Sequence, residues 1–123
     1  MNLIIILCKE KKMQADQQQS KRTRSYVEEV FRLIEEKPDI VDIIILNKNG
    51  NPVKTTMEKQ MAIEFVGLYE ILKEKVQLGL QKIDPKDELL MLRVRTKANE
   101  VLITPDGKIT VMVIQNAQDR IQL

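Results

Sequence analysis

The chain of 123 residues has no histidine, no tryptophan and a single cysteine. Without His it lacks the commonest general base and the commonest metal ligand. Cys8 alone cannot close an intrachain disulfide, which points to a reducing, intracellular setting. Aromatic residues make only 3% of the chain. All of them (Tyr26, Phe31, Phe65, Tyr69) fall in segments with helical periodicity, so no strand carries the stacking platforms that single-stranded nucleic acids require. The four glycines stand apart, which excludes a Gly-rich phosphate loop. The apolar run Leu3–Cys8 is too short to cross a bilayer. It is neither preceded by positive charge nor followed by a small-residue cleavage site, so it does not read as a secretory signal.

What is present is a composition of 43% apolar and 31% charged residues, enough for one core and one domain. The net charge of +2 is unevenly placed. Residues 1–24 hold six basic and two acidic side chains, a net of +4. Residues 25–123 hold fourteen basic and sixteen acidic ones, a net of −2. A mildly acidic domain is a poor match for a phosphate-coated partner. The polar, Gln-rich stretch 9–24 has the composition of a disordered extension. The leading "LIIIL" is an aggregation hazard if exposed, so weak docking on the domain or on a partner is expected. The boundaries expected are therefore an extension over 1–24, a domain over 25–118 and a short tail over 119–123.

Periodicity predicts the elements. Ser25 and Glu28 form a capping-box pattern ahead of Val27, Val30, Phe31 and Ile34 on one helical stripe, and Pro38 ends that helix near Glu36 or Lys37. "IVDIIILN" (40–47) is a strand, Asn49-Gly50 a hairpin turn, and "VKTT" the return strand. Thr55 and Glu58 repeat the capping box before a long helix from about Met57 to Lys82. Three strands follow, 89–96, 100–104 and 108–115, joined by turn sequences. The order α-β-β-α-β-β-β, with strands joined by tight turns, predicts an α+β fold. Its five-stranded antiparallel sheet is crossed by the long helix.

On the long helix, Met61, Phe65, Leu68, Leu72, Val76, Gly79 and Ile83 share a sector and are expected to face the core. Ile63, Gly67, Ile71 and Leu78 form a second apolar sector. One sheet needs only one stripe, so the second suggests either a shorter covering helix or, preferably, a neighbouring subunit. Gly67 weakens a helix, which makes sense where another backbone approaches.

No catalytic motif appears, and neither a cofactor nor a metal site is expected. "DPKDE" (84–88) is a dense acidic cluster without the ligand spacing of a calcium loop, and reads as a solvated turn. In "LLMLRVRTK" (89–97) the alternating cations read as the wet side of a strand at a sheet edge, where charge discourages uncontrolled pairing.

The stretches "IIILNKNGNPVKTTM" (43–57), "IDPKDELLMLRVRTKANEVLITPD" (83–106) and "VIQN" (113–116) resemble the Roadblock family of dynein light chains. The resemblance spans residues 25–118 and leaves the extension 1–24 aside. It implies a Roadblock/profilin-like architecture and a homodimer in which long helices pack together and two sheets join edge to edge. It also implies a non-enzymatic subunit that binds the dynein intermediate chain, cytoplasmic and cytoskeleton-associated, with no nucleic acid and no membrane insertion. Related Roadblock-type proteins act as scaffolds or regulators of small GTPases, which is the alternative function. Under this resemblance the dimer interface would use Ile63, Gly67, Ile71, Leu78, Leu90, Leu92 and Val94. The first helix is too short to cover a doubled sheet, so alternate strand residues such as Val111 and Val113 or Met112 and Ile114 would remain accessible for a partner helix, with Arg93 and Arg95 at the rim.

Overall fold

Seven elements follow one another in the computed structural model, which describes residues 23–117. They are α1 (Thr23–Glu35), β1 (Ile40–Asn47), β2 (Pro52–Thr55), α2 (Lys59–Ile83), β3 (Leu92–Arg95), β4 (Asn99–Asp106) and β5 (Ile109–Asn116). The strands form one antiparallel sheet in the order β2-β1-β5-β4-β3. The predicted α+β architecture and element order are those observed.

β5 lies at the centre, and Ile109–Ile114 are all buried. Because successive side chains point to opposite faces, the isoleucine and valine runs of β1, β4 and β5 feed two cores. Ile43, Ile45, Leu102, Val111 and Val113 meet Val27, Val30, Phe31 and Ile34 of α1. Ile44, Leu46, Val101, Ile103, Met112 and Ile114 meet Ala62 and Val66 of α2. The sheet is thus sandwiched between the two helices. Each large apolar side chain buried this way contributes about 1.5–3 kcal/mol.

Local chemistry sets the joints. The Asn47 carboxamide oxygen accepts the Asn49 N–H at 3.0 Å and the Asn51 N–H at 3.1 Å, closing the β1–β2 loop around Gly50 (φ 80°). β4 runs on through Pro105 to Asp106, two residues beyond the expected end, because the turn itself is only Gly107-Lys108. Gly107 takes φ 59° there, the left-handed conformation a two-residue hairpin loop demands. Between β3 and β4, Thr96 Oγ1 accepts the Asn99 N–H at 3.1 Å.

Both predicted capping boxes are replaced by other bonds. α1 already begins at Thr23, so Ser25 lies inside its first turn, and the Glu28 carboxylate instead pairs with Lys54 of β2. That ammonium also lies 4.5 Å from the centre of the Phe31 ring, so one cation fixes α1 to the sheet twice. At α2 the cap is Glu58, whose carboxylate accepts the Gln60 and Met61 N–H groups, both at 3.1 Å. These bonds hold its pKa below the usual carboxylate value. Thr55 Oγ1 accepts the Met57 N–H at 2.9 Å instead. β3 is shorter than predicted, because Leu89–Met91 do not pair with β4.

Candidate functional site: a protein-interaction surface

The expected core stripe of α2 is corrected by the structure. Ala62 and Val66 are its buried residues, with Phe65 and Tyr69 packed beside them and their rings 4.5 Å apart. Met61 (60% exposed), Leu68 (71%), Leu72 and Ile83 lie in water. At 100° per residue, the sheet-facing line runs through Ala62, Val66, Tyr69 and Leu80, between the two apolar sectors rather than along either. The sequence stripe was centred about a quarter-turn away from the true contact line. α2 therefore carries an exposed apolar flank on each side.

One flank faces β2. Ile63, Val66, Gly67 and Glu70 line a cleft of roughly 730 Å³ together with Val53, Lys54, Thr55 and Met57. A Cβ added at Gly67 would meet no atom within 4 Å, so nothing among the described residues requires a glycine there. Ile71 and Leu78 of the same sector are 58% and 51% exposed. Leu78 borders a smaller cleft of about 330 Å³ against Asp87, Glu88 and Leu89. The opposite flank, with Met61, Leu68 and Leu72, is the one away from β2.

β2 and β3 are the two edges of the sheet. On β3, Leu92 and Val94 are half-buried, and Leu92 packs against the α2-side core. Leu90 stands exposed just before the strand. Leu92 and Val94 are therefore at the opposite end of the sheet from Ile63 and Gly67, while Leu78, farther along the same helical sector, borders Leu89 just before β3. The flank Met61–Leu68–Leu72, expected in the core, is exposed on the side of α2 away from the β2 cleft.

Arg93 and Arg95 project on the α1 side of β3, both exposed. Arg93 Nε pairs with the carboxylate of buried Glu100, which also accepts Gln115 Nε2 at 3.2 Å. Arg93 thus neutralises a buried acid, a structural task on an edge strand. Val111 and Val113, expected to stay accessible, are both fully buried. The correction has a simple cause: α1 lies across that face, and its Val27, Val30, Phe31 and Ile34 fill the space over Val111, Val113, Ile43 and Ile45. No partner helix can lie where α1 already lies.

Asp84 forms a local turn in which its side chain accepts the Lys86 N–H at 3.0 Å, as a helix stop requires. Among the described residues no group of three acidic or cysteine side chains could hold a metal ion, and no helix is long and apolar enough to cross a membrane.

The Roadblock/LC7 domain model matches residues 26–116. The chain belongs to the Roadblock/LC7 family. Solved structures agree on the fold. A Roadblock/LC7 domain from Streptomyces avermitilis superposes with a TM-score of 0.63 at 10% identity, covering 70% of this chain and 73% of that one. Myxococcus xanthus MglB gives 0.51 at 17% identity, over 75% and 74%. At such identities the likeness speaks for the Roadblock fold alone. Of the stretches that carried the resemblance, residues 113–116 lie in central β5 and the other two include the edge strands β2 and β3. Residues 43–57 run from β1 through β2 to just before α2, and residues 83–106 from the last residue of α2 through β3 and β4.

Proposed function

We propose that this Roadblock domain is a non-catalytic light-chain subunit of a dynein motor, cytoplasmic and cytoskeleton-associated. In this reading it is a homodimer that binds the dynein intermediate chain and supports cargo assembly. The observation that carries the reading is the uncovered α2 flank Met61–Leu68–Leu72 together with the open β3 edge of the sheet. Large apolar side chains grouped in this way mark a surface meant for another chain, and an edge strand offers unpaired backbone groups to a like strand. A second copy joined through β3 would cover both at once. The motor assignment is supported by the resemblance of "NKNGNPVKTTM" and "LRVRTKANE" to dynein light chains. With the Val111–Val113 face closed by α1, the apolar surface left for an intermediate chain is on the α2 side. The alternative, a scaffold or regulator of a small GTPase, draws on both solved neighbours being bacterial proteins, so the fold is not reserved for one motor. Tagged protein pulled from native lysate separates the two. Intermediate chain in the eluate supports the motor subunit; a GTPase without intermediate chain supports the alternative.

A further inference from the structure

The cleft on the β2 side lies at the end of the sheet away from β3, and the proposed dimer would leave it open. Val53, 52% exposed, shares its α2-facing wall with Ile63 and Gly67. Among the described residues β2 pairs only with β1, so its outer edge offers backbone donors and acceptors to an added segment. An apolar wall beside a free strand edge is the arrangement that accepts an extended apolar peptide.

We propose that residues 3–8 of the same chain occupy this cleft, independently of the dynein reading. The sequence Leu3-Ile4-Ile5-Ile6-Leu7 lies outside the described residues. It is the kind of β-branched apolar run that fits beside a strand and that is hazardous when left in water. Fourteen residues separate Cys8 from Thr23, a reach of about 46 Å when extended. That exceeds the roughly 37 Å length of α2, a 25-residue helix, so the whole cleft is within range. The tether leaves from the α1 side of the sheet and reaches the α2-side cleft by passing round β2, the strand at that edge. The first turns of α1 are held to β2 by the Glu28–Lys54 pair, and Lys54 itself lines the cleft. A tether of this length keeps the segment at an effective concentration on the order of millimolar.

Cys8 is the only cysteine, so a nitroxide can be placed there in the full, unmutated chain. Amide signals of Val53–Thr55 and Ile63–Gly67 should be quenched in ¹⁵N-labelled protein, while those of β3 persist. A mixture of spin-labelled ¹⁴N chains with unlabelled ¹⁵N chains should show no such quenching. Quenching spread evenly, centred on β3, absent, or equally strong in the mixture would overturn the proposal, the last by assigning the segment to a second copy. Ile5→Asp should raise hydrogen exchange of the outward β2 amides at least fivefold; unchanged exchange contradicts the docking. Gly67→Leu, whose side chain enters open space, should relieve the quenching at Val53–Thr55 without unfolding the domain.

Discussion

The two faces of the sheet are covered by helices of very different length, and the shorter one covers its face more fully. α1, with 13 residues, buries Val27, Val30, Phe31 and Ile34 against the sheet. α2, with 25 residues, buries only Ala62 and Val66 and exposes most of its large apolar side chains. The difference is one of stripe width. The α1 stripe is as wide as the contact it makes, so its apolar content is consumed within the chain. α2 is apolar well beyond the line that touches the sheet, and its surplus at Met61, Leu68 and Leu72 stays exposed. Stability should therefore be sensitive on the α1 face, and association on the α2 face.

The largest expected effect comes from breaking the covered side. Phe31→Ala removes a buried ring and the support under Lys54, and should cost about 3–5 kcal/mol in urea unfolding. If α1 were only loosely laid on the sheet, the loss would be far smaller. Next, Arg93→Ala leaves the buried Glu100 carboxylate with Gln115 as its remaining side-chain hydrogen bond described above, at a cost of about 1–3 kcal/mol. A neutral outcome would return Arg93 to the role of a partner-facing cation. Tyr26→Phe, which deletes the hydroxyl donated to Asp106, should cost about 1–2 kcal/mol without changing the mass in solution. On the uncovered side Leu68→Ala should shift a monomeric domain by no more than about 0.5 kcal/mol, while weakening self-association. A large loss of monomer stability would mean that Leu68 belongs to the core after all.

The smallest effect concerns the start of α2. The Gln60 and Met61 N–H groups bonded to Glu58 favour its carboxylate form in the fold and lower its pKa. Its contribution is therefore present above the usual carboxylate pKa and lost as pH falls through the lowered folded value. Thermal scans of Glu58→Gln should differ slightly from the parent near neutral pH and converge with it in acid. A constant offset at all pH values would remove the cap from the account.

Element order and the hairpin pairings were legible because β-branched runs and the turn chemistry at Asn49-Gly50 and Gly107 act locally, whereas the central β1–β5 pairing joins strands far apart in sequence and was not. The helix caps were not. Glu28 has an alternative partner in Lys54, which only the tertiary structure brings near. The contact line of α2 was misplaced for a related reason. A helix apolar over most of its circumference gives no unique direction to its stripe, and small Ala62 at the true centre adds little weight to the pattern. The same ambiguity hid the flank Met61–Leu68–Leu72, and the short length of α1 concealed how fully it shields Val111 and Val113.

The central claim is that the surplus apolar flank of α2 and the β3 edge serve a second copy of the chain. Sedimentation equilibrium of the full protein at low micromolar concentration measures this directly. The account predicts a particle of about twice the 14.3 kDa chain mass, returned to the monomer mass by Leu68→Asp. A parent protein that sediments as a clean monomer at that concentration would contradict it.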